Sequence, residues 1–491
     1  MPQNAEEAIR QSFLKAKWYA EEERINEAQE KLDLYSDDYE EIIKEKLSDL
    51  YHPANYERMY LHVNQSQNIL KRVINEISTI YKVEPQRTLS VESERYSDIK
   101  EETLMDVIMK KVNRYTNLLN ECLIKVGVRY GRIVYDIITP NICTVIQNED
   151  DPTQADAIIY QVTLKNTLGD DSIEYHYWDI EGDYYVFGKD FKLQRVIYDG
   201  EEAPSPYKDA EGKFIIPFVV FHRQSPDDAF FDQHTGRDLY NGAVLTGVKM
   251  TQFDYYFKSA SHKQIYIIGD EVDVPQKQVL DPLTVFQAKG ENASIGTLDL
   301  QANINQLKEA LIYQVNSLIN NYGISADQWT LSVSEMSGRA LKIRNAPLLE
   351  IRQDQLPLYR SYEGQLFKVT RIVNNAWKFK PIPEQAEFSI DFGEITFPED
   401  PEDELRLDVK RLNTGIISPG QFYMKYNPDI KDEKEAEKTL LENLEKIAKA
   451  KEDVPALDAA INAILGTKPE GTPQRTEEGS IEAGQQGQGE E

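Results

Sequence analysis

The 491-residue chain has little cysteine and little histidine, two and six residues respectively. Cys122 and Cys143 are too few for a disulfide framework and fit a reducing compartment. His52, His62, His176, His222, His234 and His262 never pair at metal-ligand spacing, and no CxxC occurs, so neither a metal nor another cofactor is expected. The phosphate-cradling G-x-x-x-x-G-K-[ST] and G-x-G-x-x-G patterns are absent, as is the hydrolase elbow G-x-S-x-G. No apolar run reaches the roughly 18 residues of a membrane span. The start, MPQNAEEAIRQSF, lacks a signal peptide's apolar stretch, which predicts a soluble, unsecreted protein without membrane contact. Basic residues are also scarce: 55 Lys and Arg against 84 Asp and Glu leave a formal charge of -29. That excludes a general nucleic-acid binder, whose affinity comes from cations neutralising phosphate. It leaves room for DNA as a cargo that slides past without sticking.

Exchanging Tyr for Gly in the hydrophobic set gives about 39% apolar residues, below the roughly 45–50% of ordinary globular domains. Much of the chain must therefore face water or partners. The first hundred residues read as helix. They are hydrophilic from Glu6 to Lys46 and then carry an apolar stripe, Ile69, Leu70, Val73, Ile74, Ile77, Ile80 and Tyr81, closed by Pro85. Helix is expected again over 104–126, with the period changing at Gly127. From Val128 to Tyr198 six short β-branched and aromatic segments, from RIVYDII to LQRVIYD, predict one antiparallel sheet, and FIIPFVVF adds a later strand.

The centre of the chain reads as a helix, a strand-and-loop piece of about forty residues, and a second helix: an antiparallel stalk with a tip. The first helix aligns Leu239, Ala243, Gly247, Met250 and Phe257. The second aligns Ile304, Leu307, Leu311, Leu318 and Tyr322 before Gly323 ends it. Gly242, Ala243 and Gly247 most simply mean helix packing within one chain; packing against neighbouring subunits is the sharper alternative. A polar loop bearing Trp329 follows, in which Ser332 and Glu335 have capping-box spacing. A helix of about forty residues then runs from Gly338 to Lys378, with kinks expected at Pro347 and Pro357. FSIDFGEITF reads as a strand pair, Asp400-Pro401 as a helix start, and two helical pieces precede a Gly/Gln/Glu-rich tail that is expected to be disordered from Thr467.

Carboxylates are abundant enough for an acid–base pair on the Val128–Tyr198 sheet, which would make a carboxylate-dependent hydrolase, although runs such as DDYEE usually face solvent near helix starts. Arg339, Lys342 and Arg344 either touch phosphate or pair with Glu335 and Glu350 along an exposed helix edge. Trp329 is either a buried anchor, which its composition favours, or an exposed apolar tip.

Several segments in order resemble the portal proteins, or head–tail connectors, of tailed double-stranded DNA bacteriophages of the siphovirus type: NILKRVINEISTIYKVEP, KVGVRYGRIVYDIITPNICTVI, FIIPFVVF, SEMSGRALKIRNAPL and LNTGIISPGQFYMKYNPDIKDEKEAEKTLLENLE. The resemblance spans about Tyr51 to Lys451. It implies an α+β, mostly helical portal fold whose copies, usually twelve, close into a ring at the capsid vertex. The N-terminal wing would occupy 1–236, stem helices 237–262 and 300–323, and the clip 263–299. The tunnel loop would occupy 324–337, the kinked tunnel helix and wing strands 338–399, the outer wing and crown 400–466, and the tail 467–491. Asp327, Gln328, Trp329, Thr330, Leu331, Ser332 and Glu335 would face DNA, with Arg339, Lys342 and Arg344 as phosphate contacts. Leu239, Ala243, Gly247, Met250, Leu307, Leu311 and Leu318 would pack stems between subunits. Tyr266, Asp273, Lys277, Phe286 and Lys289 would form the clip surface that meets partners.

The implied partners are further copies of the chain, double-stranded DNA in the channel, the terminase large subunit, head–tail adaptor or tail proteins, and the major capsid and scaffolding proteins. The implied location is the virion's portal vertex, reached through the host cytoplasm. The implied role is non-enzymatic, since nucleotide hydrolysis belongs to the terminase. A head–tail adaptor or scaffold protein without a tunnel is the alternative. Carboxylates on the stem and tunnel helices are expected to keep DNA from adhering, with most of the acid spread over wing, crown and tail because a single bore could not hold it.

Overall fold

The hydrophilic first fifty residues form three helices, α1 (Gln3–Ala20), α2 (Glu22–Tyr35) and α3 (Glu40–Leu50). The computed structural model describes residues 3–52, 59–61, 63–165, 171–199, 203–261, 264–268, 271–272, 288–289, 293–298, 304–325, 343–377, 379–395, 401–427, 429–430 and 432–453. By internal contacts the chain divides into two units, residues 1–397 and 398–491. Of the apolar residues of α1 to α3, Leu14, Trp18, Leu34, Ile43 and Leu47 are buried, while Ile9, Phe13, Tyr19 and Leu50 are exposed.

Helix α4 (Ile69–Ile77) starts where the Asn68 side chain accepts the Lys71 N–H, and it buries Ile69, Leu70, Val73, Ile74 and Ile77. It ends four residues before Tyr81, short of the expected run, because Ser78 folds its N–H and hydroxyl back onto the Ile74 carbonyl. Strand β1 (Gln86–Leu89) and helices α5 (Glu94–Glu102) and α6 (Met105–Leu119) follow. The change to strand comes at Asn120, which takes a φ of 70° and ends α6. Glu121–Arg129 is then strand β2, so the expectation of helix to residue 126 is corrected.

The β region forms two antiparallel sheets where one was expected. Strands β3 (Arg132–Ile138), β4 (Cys143–Gln147), β5 (Ala155–Lys165), β6 (Asp171–Asp179), β7 (Tyr184–Phe187), β8 (Leu193–Tyr198) and β9 (Phe218–His222) follow β2. One sheet has the order β3-β2-β9 and the other the order β4-β5-β6-β7-β8. A single turn of 3-10 helix, Pro140–Ile142, separates them in the chain. Both sheets contribute to one large core, while α1 seals the five-stranded sheet with Leu14 and Trp18 against Tyr175, Phe187 and Phe191.

Helix α7 (Arg237–Ser261) leads to paired strands β10 (Gln264–Ile268), β11 (Glu271–Val272), β12 (Ala288–Lys289) and β13 (Ser294–Leu298), and helix α8 (Ile304–Asn320) returns. β10 pairs with β13 and β11 with β12, both antiparallel. Helix α9 (Ala346–Ala376) then crosses the main core, and β14 (Phe388–Asp391) pairs with β1 nearly three hundred residues upstream. The strand pair expected within FSIDFGEITF is therefore a single strand with a distant partner; residues 396–400 lie outside the described residues. The tail from Thr467 lies outside them as well.

In the second unit α10 (Pro401–Asn413), α11 (Pro419–Tyr426) and α12 (Glu433–Asp453) form a small helical piece. Between the two expected helical pieces the SPGQFYMKYNPD segment forms α11, started by a capping box between Ser418 and Gln421. Asp408, buried on α10, accepts bonds from Lys425 at 2.5 Å and from Tyr426 at 3.0 Å, which ties α10 to α11.

Candidate functional site

Helices α7 and α8 run antiparallel. Gly242 meets Leu318, Lys249 bonds Gln314, and Phe253 and Tyr256 share an open groove of about 180 Å³ with Leu307 and Leu311. At 1.5 Å per residue the 25 residues of α7 are about 37 Å long. Its first half is rooted: Leu239, Ala243, Val244 and Val248 pack with Val315, Ile319 and Tyr322 of the return segment and with Ile43 and Leu47 of α3. Polar contacts fix the same end. The Tyr322 hydroxyl donates to Asp238 at 2.6 Å and the Tyr240 hydroxyl to Glu30 at 2.7 Å, and burial together with the adjacent carboxylate pushes both phenols up.

The small residues serve this root. A Cβ on Gly247 would stand 2.5 Å from Ile43 Cδ1, and one on Gly242 would stand 2.7 Å from Leu318 Cδ2. Leu239 and Ala243 are buried within the chain. The expectation that Leu239, Ala243 and Gly247 pack between subunits is corrected: their surface is already covered by α3 and α8. The distal half differs. Met250 and Leu311 are half-buried, Leu307 is exposed, and Phe257, Ile312 and Tyr313 stand in water, at 75% exposure for Tyr313, whereas the half-buried Leu318 belongs to the root, against Gly242.

Helix α9 is held by buried polar groups. Glu363, 1% exposed, accepts two bonds from Arg87, at 2.7 and 3.0 Å, and one from the Tyr81 hydroxyl at 2.8 Å. Arg352 donates to the Gly393 carbonyl at 2.8 Å, and Gln355 donates to Asn117 at 3.0 Å. Tyr359 accepts from Asn113, and Asn374 accepts from Arg95. None of these was singled out from sequence; the signal available was their helical spacing, at 352, 355, 359, 363 and 374. Pro347 lies in the first turn of α9; residues 343 and 344 before it are helical, with a turn at Asn345 between the two stretches, and 338–342 lie outside the described residues. The helix is continuous through Pro357, which sits on the exposed face beside Gln353, whose carbonyl it leaves facing water.

Asp327, Gln328, Trp329, Thr330, Leu331, Ser332, Glu335, Arg339 and Lys342 lie outside the described residues. Arg344 is half-buried just before α9 and already interacts within the chain. Tyr266 sits on β10 opposite Gly296, and Lys289 on β12 opposite Glu271; Asp273, Lys277 and Phe286 lie outside the described residues. Helices α7, α8 and α9 together carry eight Lys or Arg against six Asp or Glu, so an acidic lining on these helices is corrected. The acid lies elsewhere: fourteen carboxylates against seven cations in residues 1–50, and twenty-two against twelve in residues 398–491.

Between the sheets a cationic–aromatic cluster is buried. Lys125 of β2 donates to the Tyr160 hydroxyl at 2.5 Å, and His176 stacks on Tyr160 and shares a 2.8 Å hydrogen bond with Tyr184. Burial lowers the Lys125 ammonium to about 8; burial and the nearby Lys125 and Arg195 cations lower the His176 imidazole to about 4. The two buried carboxylates of this region, Asp179 and Asp183, brace the β6–β7 turn: the Asp183 N–H donates to Asp179 and the Tyr185 hydroxyl to Asp183. No cluster of three metal-ligating side chains occurs among the described residues. No described helix is long and apolar enough to cross a membrane.

No protein-family model matches the chain, and no curated protein matches it. Among solved structures, two similar chains come from the neck of an empty gene transfer agent particle computed with C6 symmetry and from the virion of a native gene transfer agent particle. Each is 10% identical with a TM-score of 0.40. The match covers 71% of this chain in both cases, with 86% of the neck chain and 85% of the virion chain. At that level the likeness assigns neither fold nor function. The fold class is settled by the coordinates alone as mixed helix and sheet, α+β.

Proposed function

We propose that the chain is a structural subunit of a tailed-phage head–tail junction, and specifically a portal subunit whose copies close into a ring, about twelve in number, around a channel for double-stranded DNA. The observation that carries this reading is the α7–α8 pair, rooted in the core at one end and carrying exposed apolar side chains among the described residues farther out, with a β tip between its helices. A helical pair of that kind is a poor element for a monomer and a good one for a closed ring, where neighbours cover what the chain leaves exposed. The order of sequence segments supports the same reading, with α7 and α8 as stem, the β tip as clip and α9 as tunnel helix.

In this reading the protein is a conduit, not an engine. The clip meets the terminase large subunit during packaging and adaptor or tail proteins afterwards, the wing meets capsid and scaffolding proteins, and no cofactor takes part. The near-neutral charge of α7, α8 and α9 means that DNA would pass without many fixed attachments and without a strongly repulsive wall. Mass photometry tests the proposal. Twelve 56.5 kDa chains weigh about 680 kDa. A particle of that order with a central hole in negative stain is expected, and a chain that stays monomeric or dimeric at assembly concentrations refutes it.

A further inference from the structure

The β2–β3 hairpin ends in Arg129-Tyr130-Gly131-Arg132, with Arg129 paired to Arg132 across the turn and φ of 50° at Tyr130 and 75° at Gly131. Positive φ at both central residues is the turn in which Asn-Gly or Gly-Gly is favoured; a tyrosine there is disfavoured by its Cβ. Local structure therefore does not explain Tyr130. Core packing does not explain it either, because the side chain is fully exposed, at 102%. Arg129 pairs with Asp136 along the hairpin, while Arg132 has no ion pair among the described residues. An aromatic ring between two guanidinium groups on a rigid projection has the composition of a binding hot spot.

The other end of β2 carries a complementary feature. Asn120 and Glu121 form one wall of an open cavity of about 340 Å³, whose rim is the loop after β9, with Pro226, Asp227, Asp228 and Phe231. A cavity of roughly 150 Å³ already holds a benzene ring, so this one admits a phenol ring with space for a guanidinium beside it. No lysine or arginine lines it. Asp227 and Asp228 are exposed and make no ion pair among the described residues. The Asn120 amide nitrogen donates to the Asp232 and Thr235 carbonyls, which leaves its buried Oδ1 as an acceptor without a donor in the cavity wall. The cavity thus offers the exposed carboxylates of Asp227 and Asp228 with apolar contact from Pro226 and Phe231, and the hairpin apex offers donors and a ring.

We propose that the Arg129–Arg132 apex of one copy seats in the Asn120/Asp227/Asp228 cavity of a neighbouring copy. The two features stand at opposite ends of the same nine-residue strand, about 30 Å apart at roughly 3.3 Å per residue, so one chain cannot satisfy its own cavity. Strand β2 is paired on both sides, by β3 and β9, so both ends are mounted on one rigid sheet. A contact between two different surfaces at opposite ends of a subunit is head-to-tail, the kind that generates a closed ring when the rotation permits. This deepens the ring reading and rests on it. Two arginines on a chain of formal charge -29 make too small a phosphate footprint for DNA to be the favoured occupant.

Charge exchange tests the contact with the full-length chain. Arg129→Glu/Arg132→Glu changes the apex, and Asp227→Lys/Asp228→Lys changes the cavity; circular dichroism melts check that each variant folds as the native chain does. Each alone should raise the concentration needed for assembly in mass photometry by at least about tenfold. Mixing the two should restore assembly, because the Glu apex meets the Lys cavity and the Arg apex meets the Asp cavity around an alternating ring. If folded variants each assemble like the native chain, or if their mixture fails to assemble, this contact is wrong while the ring reading stands. A native chain that never assembles removes both. If the apex variant loses affinity for a double-stranded DNA fragment with its assembly unchanged, nucleic acid is the occupant and the proposal is overturned.

Discussion

Gly247 of α7 lies directly against Ile43 of α3, and a Cβ at position 247 would stand 2.5 Å from Ile43 Cδ1 and 3.3 Å from its Cγ1. The smallness of residue 247 is therefore a requirement of the chain's own fold. Alanine at an interior helix position gains about 1 kcal/mol over glycine, and overpacking costs about 1–3 kcal/mol. Gly247→Ala should come out near neutral or modestly destabilising. Gly247→Val should lose about 2–4 kcal/mol, since the β-branched side chain adds bulk against the same neighbour. Shortening the neighbour relieves the conflict, so Ile43→Val/Gly247→Ala should be more stable than Ile43→Val alone. Denaturant midpoints of the unassembled chain decide this. If Gly247→Val melts like the native protein and only assembly suffers, the glycine serves a subunit contact instead.

Glu363 and Arg87 are both nearly excluded from water, and each is the other's main partner. Arg87 keeps a second contact, to the half-buried Asp106 at 2.5 Å, and against its burial the hydrogen bonds and charges of Glu363 and Asp106 hold it protonated. Removing one member of such a pair leaves the other buried without compensation, at a cost of about 3–5 kcal/mol. Glu363→Ala should fall at the lower end because Asp106 remains. Replacing both members, with Arg87→Met/Glu363→Leu, should recover most of the loss, since apolar pairs of similar volume often match buried ion pairs. Urea titration of Arg87→Met, Glu363→Leu and the double variant measures the coupling. A purely additive result would mean that the pair does not hold α9 in place.

The elements legible in the sequence were those whose signal is local. Ile69–Ile77 shows its buried stripe in its spacing, and the boundaries of α7 follow from a periodic run between Gly236 and the β tip. The errors share a cause. CLIKVGV is a short, mostly apolar segment, which periodicity alone does not assign to helix or strand; its pairing with β3 on one side and β9 on the other settles it as strand. The β1–β14 pairing joins residues about three hundred apart, and no short window contains it. The candidate contact site was half legible: the apolar line along α7 was visible, but which part of it the chain covers depends on α3, whose sparse Ile43 and Leu47 are hidden in a charged segment.

His176 gives the chain an acid-side sensitivity. Burial, with Lys125 and Arg195 nearby, lowers its imidazole from the usual 6.5 to about 4, so the folded state holds it neutral. Between pH 6.5 and 4 the unfolded chain binds this proton and the folded one does not, so stability falls as pH drops through that window. The full effect is at most about 3 kcal/mol, and less where Glu174, 3.5 Å from Nε2, offsets part of the cost of the charge. His176→Phe keeps the stacking on Tyr160, loses the bond to Tyr184, and should flatten the melting temperature between pH 6.5 and 4.5. An unchanged slope in the variant would place the acid sensitivity elsewhere.

Tyr313 and Phe257 project from the distal half of the helical pair, at 75% and 57% exposure, while the root residues of the same helices are buried. If neighbours cover the distal half, polar substitutions there should separate folding from assembly. Phe257→Ser/Tyr313→Ser removes two aromatic anchors from a surface that the isolated chain leaves in water, so its melting temperature should change by no more than the usual small surface effect of about 0.5 kcal/mol. The same change in an assembled interface should cost about 2 kcal/mol or more per aromatic, which is a loss of at least about 30-fold in assembly per contact. A root variant such as Leu239→Ala should do the reverse, lowering stability by about 2–5 kcal/mol before assembly is affected. Mass photometry across a concentration series, read beside thermal melts of the same samples, distinguishes the two halves. If Phe257→Ser/Tyr313→Ser assembles at the native concentration, the distal face is not where the copies meet, and the ring must be held by other surfaces.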